Sequence, residues 1–392
     1  MIIRRIIAQA QVDNARMDVN APLELLGGLS PQMFMRRHWQ KKPLLVRQAM
    51  PGVVPPLTRA ALFDLAASAD VESRLIRRDG GRWSVRHGPL ARRALPPLKR
   101  PDWTLLVQGM DLHVAAARAF LDRFRFIPES RLDDFMVSWA SDGGGVGPHL
   151  DSYDVFLIQL AGRRRWRIGR VPDGSLVEGL PVKILARFEP AMEHVLDPGD
   201  MLYLPPGWGH DGIAEGDCMT GSVGFRVPAD DGLARELLQR LAADDDESVG
   251  KLYRDPAQPA TDEPARVPAA LQAFAHRALQ RVLAEPDALP RALGEVLSEP
   301  KPRVWFAPRT TRAAPGAGQG VQLDAGSRML YDDRHVFING EAFRAGGRDA
   351  TLMRRLADER RLGARDCARL SDNARDLLAD WVAAGWLHGD SA

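Results

Sequence analysis

Two short stretches hold the side chains best suited to chemistry, Pro148-His149-Leu150-Asp151 and Pro205-Pro206-Gly207-Trp208-Gly209-His210. Together they read as His-x-Asp, an interval of 58 residues, and a second His. Two imidazoles and one carboxylate can bind one face of an iron(II) ion and leave the opposite face open, as oxygen chemistry requires. His149 and Asp151 are two apart on an expected strand, so both project from the same face. His210 ends a strand-and-turn unit beginning at Asp200, and its two prolines stiffen the approach. A lone histidine is ordinarily a core or surface residue, and His-x-Asp recurs by chance. The glycine-rich lead-in Asp142–Pro148 and the Pro-Pro-Gly-Trp-Gly-His ending set this instance apart. His194 is a rival third ligand, on the far side of the Asp197-Pro198-Gly199-Asp200 turn.

Arg164 adds a second signal. Alternation over Arg163–Ile168 puts Arg163, Arg165 and Arg167 on one face, which is plainly solvated. The other face carries Arg164, Trp166 and Ile168. A cation on an apolar face needs an anion, either a nearby Asp or the far carboxylate of a dicarboxylic cosubstrate. A planar guanidinium binds such a carboxylate through two hydrogen bonds. Over Cys218–Phe225, Cys218, Thr220, Ser222 and Gly224 share a face. Thr220 and Ser222 could hydrogen-bond a cosubstrate or satisfy neighbouring backbone.

The elements around these residues read as mixed, then β, then helical, then mixed again. Ser30 can cap a helix over Gln32–Trp39, and Lys42–Arg47 reads as a strand entered through Pro43. Helical patterns follow at Thr58–Ala67 and Leu112–Phe124. Strands are expected at Phe135–Ala140, Tyr153–Leu160, Arg163–Ile168 after an Ala161-Gly162 turn, Phe188–Leu196, Met201–Leu204 and Cys218–Val227. Many short strands with frequent turns suggest a sandwich or barrel. Leu233, Leu237, Leu238 and Leu241 then take helical spacing, as do Leu271, Phe274, Ala275, Ala278, Leu279 and Val282. These amphipathic helices are too few to make a core alone, and a second copy would cover them. Asp244–Pro268 between them reads as an acidic loop.

From about residue 301, a loose Gly316–Gly320 loop precedes a hairpin at Met329–Tyr331 and His335–Ile338. Asn339-Gly340 is a strong turn signal. Helices at Ala350–Glu359 and Ser371–Ala384 and a strand at Gly385-Trp386-Leu387 complete a pattern similar to a winged helix-turn-helix. Its arginines, Arg354, Arg355, Arg360 and Arg361, are interleaved with Asp358, Glu359 and Asp366. We therefore expect no sequence-specific DNA binding.

Bulk properties fit a globular protein of two or three domains: 392 residues, 45% hydrophobic and 27% charged. A net charge of +2 implies no general grip on nucleic acid, although locally basic faces are compatible with it. Two unpaired cysteines, Cys218 and Cys367, argue against a disulfide framework or zinc ribbon. No apolar run approaches the ~20 residues of a membrane span. The start, with Arg4-Arg5, is too short in apolar residues for a signal peptide, and Met17 is an alternative start after a disordered extension. The expectation is a cytoplasmic protein.

The motifs GGGVGPHLDSYDVFLIQLAGRRRWRIG and GDMLYLPPGWGH, with HWQKKPLLVRQA and LYRDPAQPA, resemble the JmjC/cupin-type iron(II) and 2-oxoglutarate oxygenases. Among these the chain is most similar to the bacterial ribosomal oxygenases, from about residue 22 onward. The resemblance implies an α+β chain with a double-stranded β-helix (cupin/JmjC) domain at 1–229, a helical dimerisation region at 230–300 and a winged helix at 301–392. It implies His149, Asp151 and His210 as iron ligands and catalytic residues. Arg164 would be the partner of the distal carboxylate of 2-oxoglutarate. Thr220 stands where close relatives are expected to have Asn. O2 is the other cosubstrate, and an arginyl residue of a large-subunit ribosomal protein is the implied target. The arginine pocket has no motif; Asp142, Tyr153, Asp154 and Asp211 are the nearby candidates. Alternatives are a histidyl hydroxylase or methyl-lysine demethylase of the same class, a cupin acting on a small molecule, or a non-enzymatic cupin sensor with a DNA-binding tail.

Overall fold

The computed structural model describes residues 17–242, 252–256, 258–260, 264–308 and 319–390. The expected extension before Met17, much of the acidic loop and the start of the glycine-rich loop lie outside the described residues. The chain divides into two compact units, Met1–Val227 and Pro228–Ala392.

In the first unit, helix α1 (Pro31–Arg37) starts where Ser30 Oγ accepts the Met33 amide at 3.2 Å. Strand β1 (Leu44–Val46), helix α2 (Arg59–Leu65) and strands β2 (Ser73–Asp79), β3 (Arg82–His87) and β4 (Trp103–Val107) follow. The single helix expected over Leu112–Phe124 is two, α3 (Met110–His113) and α4 (Ala115–Asp122). Val114 between them is extended at φ −134°. Strands β5 (Leu132–Ala140), β6 (Val155–Arg170), β7 (Met192–Leu196), β8 (Met201–Leu204) and β9 (Trp208–Phe225) complete the unit. They form one antiparallel sheet in the order β1-β8-β6-β9-β5-β4-β2-β3, with β7 also on β6. Phe34, Phe156 and Tyr203 are fully buried between this sheet and the N-terminal helices. Each contributes on the order of 1.5–3 kcal/mol through burial.

The turn expected at Ala161-Gly162 is instead a bulge inside one 16-residue strand. The β6–β9 register shifts between Gln159 and Ala161 and again between Ala161 and Arg163. Gly162 has φ +63°, and a Cβ there would lie 2.1 Å from the Asp217 carbonyl oxygen. An added residue in a strand reverses which alternate side chains face inward. Val155 and Leu157 before the bulge therefore share an apolar cluster with Trp166 and Ile168 after it. Without the bulge, Arg163 would point where Arg164 does.

In the second unit, α5 (Asp230–Ala242), α6 (Ala269–Ala284) and α7 (Ala288–Ser298) come first. Strands β10 (Gly320–Leu323), β11 (Met329–Tyr331), β12 (His335–Ile338) and β13 (Glu341–Arg344) precede helix α8 (Gly347–Glu359). Strand β14 (Arg361–Leu362), helices α9 (Ala364–Cys367) and α10 (Asp372–Ala383) and strand β15 (Leu387–Asp390) end it. Asn339 and Gly340 join β12 to β13 with φ of 50° and 89°, as a tight hairpin requires. Helix α7 packs on this hairpin through Gly294, where a Cβ would sit 2.2 Å from the Phe337 ring. Leu352, Leu356, Leu378 and Trp381 fill the core of the winged helix. Helix α6, by contrast, has no buried residue.

Candidate metal and cosubstrate site

His149 and His210 face each other across an antiparallel bridge, each accepting the other's amide, at 3.0 and 2.9 Å. This pairing brings the two distant motifs together. Their ring centroids are 4.1 Å apart. Asp151 Oδ2 lies 3.9 Å from His149 Nε2 and 3.6 Å from His210 Nε2. One ligand atom from each of the three residues falls within 4.8 Å of the others, the spread of a single-ion site. His194 is outside that cluster, on β7 opposite Trp166.

Both rings are held with Nε2 toward the cluster. His149 Nδ1 donates to the Gly147 carbonyl at 2.9 Å, and His210 Nδ1 to the Trp208 carbonyl at 3.3 Å. Backbone acceptors at Nδ1 leave the Nε2 lone pair for a metal. Burial, then the neighbouring His149, holds His210 well below the usual histidine range, so its ring is neutral and ready to bind. Burial raises the Asp151 carboxyl, opposed by His149, a hydrogen bond from Tyr153 and the Arg74 charge. A bound dication reverses that preference and favours the carboxylate. The donor set of two imidazoles and one carboxylate fits a divalent transition metal.

The expected parity of β6 appears in the ion pairs. Arg163 meets Asp197 at 3.3 Å and Glu215 at 3.5 Å, Arg165 meets Glu193 and Glu215, and Arg167 meets Asp211. Arg164 is 4% exposed, between Leu196 on β7 and Ala214 on β9. Its Nε and Nη2 have no hydrogen-bond partner among the described residues. It stands 5.7 Å over Trp166, whose ring is 5.8 Å from that of His210. A buried cation with two unused donors is costly unless an anion joins it. This orphaned fork fits a carboxylate delivered by a small molecule.

Thr220 and Ser222 face the same interior, opposite Gln159 and Leu157 on β6. The Thr220 hydroxyl donates to Gln159 Oε1 at 3.1 Å, while Gln159 Nε2 donates to the Ala161 carbonyl at 2.9 Å. Its proton therefore supports the bulge below Arg164. Ser222 is 7% exposed on the interior face.

Of the residues near the motifs, Asp142 accepts the Gly216 amide at 2.8 Å, and Asp154 binds Tyr203 at 2.5 Å and Gln40 at 3.1 Å. Asp211 is occupied by Arg167. Tyr153 is different: its hydroxyl is held above the usual range by burial, then by Asp151 and Asp134. Asp134, from β5, was not legible as a site residue because no local motif marks it. Its Oδ2 accepts the Gly109 amide at 2.9 Å. A Cβ on Gly224 would lie 3.6 Å from its Oδ1 and 4.0 Å from the Tyr153 ring.

Residues 119–233 match the family model described as a JmjC domain, and residues 275–388 match the ROXA-like winged helix. The chain is 35% identical over 327 residues to the ribosomal protein uL16 3-hydroxylase of Escherichia coli, covering 79% of this chain and 84% of that protein. The X-ray structure of E. coli YcfD superposes with a TM-score of 0.82 at 31% identity, covering 92% of this chain and 98% of that one. A structure of YcfD in complex with cobalt and 2-oxoglutarate gives 0.76 at 31% identity, over 93% and 99% of the two chains. With both domain models matched and one relative, 35% identical, aligned over most of both chains, this chain belongs to the JmjC-domain ribosomal oxygenases.

Proposed function

We propose that the chain is an iron(II)- and 2-oxoglutarate-dependent protein hydroxylase acting on an arginyl residue of a large-subunit ribosomal protein. The observation that carries this reading is the buried, unpartnered Arg164 fork on the same interior face as His210. The likeness to a uL16 hydroxylase, and to a structure holding cobalt and 2-oxoglutarate, supports the choice of cosubstrate and target class.

His149, Asp151 and His210 would hold the metal. The bound metal and cosubstrate supply the oxidising power to hydroxylate an unactivated C–H bond, with 2-oxoglutarate and O2 consumed and succinate and carbon dioxide released. Arg164 binds the distal carboxylate and so sets the depth at which the cosubstrate sits. Trp166, Ile168 and Leu196 exclude water around it. The Gly147 and Trp208 carbonyls, bound at Nδ1, hold both Nε2 atoms toward the cluster. Asp134 and Tyr153, beside Asp151, offer a carboxylate and an aromatic face to an incoming guanidinium.

The region 1–229 is the oxygenase. The region 230–300 is the dimerisation segment: Leu238, Leu271, Leu279 and Leu283 are 50, 38, 57 and 50% exposed, which a second copy would cover. The winged helix at 301–392 serves protein contacts, and the setting is cytoplasmic. No described helix is long and apolar enough to cross a membrane.

The test is anaerobic iron loading, then 2-oxoglutarate turnover with purified ribosomal proteins and peptides, with mass spectrometry of the products. Succinate formation coupled to gain of one oxygen on an arginyl side chain is expected. Oxygen on histidine, or loss of a lysine methyl group, would replace the arginyl assignment. A metal site with no 2-oxoglutarate turnover would remove the enzyme reading.

A further inference from the structure

The charge of this chain is unevenly distributed. Residues 73–100 carry nine Lys or Arg and one acid, a net +8 inside a chain of net +2, so the remainder is net acidic. This segment is the β2–β3 hairpin and the loop that follows. Strand β3 ends the sheet order, so one of its edges pairs with no strand among the described residues.

Five of the nine cations have partners. Arg77 and Arg100 share Asp79, at 2.5 and 2.7 Å; Arg78 pairs with Asp102 and Arg92 with Asp64, both at 2.7 Å. Arg74 donates to Gln108 at 3.1 Å. Arg82, Arg86, Arg93 and Lys99 are exposed and have no carboxylate partner among the described residues. Arg93 and Lys99 are next in sequence to Ala94 and Arg100, which touch the hairpin carrying Arg82 and Arg86. Arg82 and Arg86 alternate with Ser84 on the face of β3 that also presents Arg77 and Asp79 of β2. Arg86 donates to the Ala94 carbonyl at 3.4 Å, and Arg100 reaches back to Asp79, so the loop folds against the hairpin. The opposite face of β3 reaches the metal site. A Cβ on Gly147, two residues before His149, would lie 3.1 Å from the Trp83 ring.

We propose that this face is an RNA-binding surface that holds phosphates across the β2–β3 hairpin from the oxygenase site. The choice of RNA rests on the ribosomal reading above. Charge complementarity selects a polyanion, and guanidinium forks suit phosphate oxygens. A protein partner would need an apolar centre, and the one large exposed apolar side chain within 73–100, Leu98, is too little to make one. A substrate arriving with RNA would thereby be brought to the metal site by contacts that read no sequence.

The test is fluorescence anisotropy of a short labelled single-stranded RNA with the full chain, across a salt series. With four phosphate contacts, the log–log salt slope should be about −3, or ~50-fold weaker binding between about 50 and 200 mM salt. The Arg82→Gln, Arg86→Gln, Arg93→Gln, Lys99→Gln quadruple variant should bind at least about tenfold more weakly at low salt, with a slope near zero. An unchanged melting temperature would establish that it is folded. No binding by the wild type at low salt, or an unaltered slope in the folded variant, would overturn the proposal. So would competition by polyglutamate as strong as by RNA, which would indicate an acidic protein partner. The assay needs no turnover. Absent hydroxylation with intact RNA binding would therefore sink the enzyme reading alone, and the reverse result would sink this one alone.

Discussion

Replacing Arg164 by Met should separate stability from catalysis. The guanidinium is 4% exposed, with two nitrogens unpartnered. An unsatisfied buried charged group costs on the order of 1–3 kcal/mol. Methionine removes that cost at comparable length, so the metal-free variant should be more stable. For a unit of this size, the gain corresponds to a melting temperature about 2–10 °C higher. The cosubstrate should suffer the reverse. Two hydrogen bonds to a charged group contribute about 3–6 kcal/mol together, so 2-oxoglutarate affinity should fall roughly 100- to 10,000-fold. Differential scanning calorimetry of the metal-free protein and steady-state kinetics against 2-oxoglutarate measure both. Arg164→Lys, which keeps the charge but not the fork, should fall between them. A variant that melts lower than the wild type, or whose KM for 2-oxoglutarate moves less than about fivefold, would refute the orphaned-fork argument.

His149→Ala should abolish tight metal binding and iron-dependent turnover; full activity in calorimetry and succinate assays would remove it from the ligand set. Gly147→Ala should weaken metal binding and cost roughly 1–3 kcal/mol in denaturant unfolding. Its φ is +79°, a Cβ would meet Ile184 at 2.2 Å, and its carbonyl orients His149. Asp200 is buried, which raises its carboxyl. The Gln48 amide, Arg47 and the Asp197 amide outweigh that and depress it. Its folded pKa is thus below the unfolded value, so its contribution is complete above about pH 4 and is lost as pH falls through the folded pKa. Asp200→Asn should flatten that acid limb in unfolding titrations. Leu279→Glu with Leu283→Glu should shift the mass in light scattering from dimer to monomer, and a wild type that is monomeric at high concentration would contradict the dimer proposal.

The residues proposed to hold iron were legible because their chemistry is local. The strand expected to put His149 and Asp151 on one face is absent, since His149 makes only an isolated bridge and Asp151 lies outside any strand, but the His-x-Asp spacing still marks both and the stiff Pro-Pro-Gly-Trp-Gly-His ending marks His210. The parity that singled out Arg164 survives because arginines on the solvated face bring carboxylate partners and the one on the apolar face does not. The helix cap at Ser30 and the Asn339-Gly340 turn were equally readable, since each is a short-range hydrogen-bonding or dihedral preference.

Four features required the tertiary structure. The Ala161-Gly162 pair reads as a turn in isolation, and only pairing with β9 makes it a bulge that turns Arg164 inward. The hairpin β2–β3 has no strong period, because its alternate positions are mostly charged and only its neighbours bury the rest. Asp134 and Tyr153 become neighbours through sheet order, not spacing. The His149–His210 bridge does the same for the metal site. Composition, period and motif determine which residues can do chemistry and which way each faces along its own strand. Meeting across the sheet depends on register, which is set by bulges and long-range packing that no local window contains.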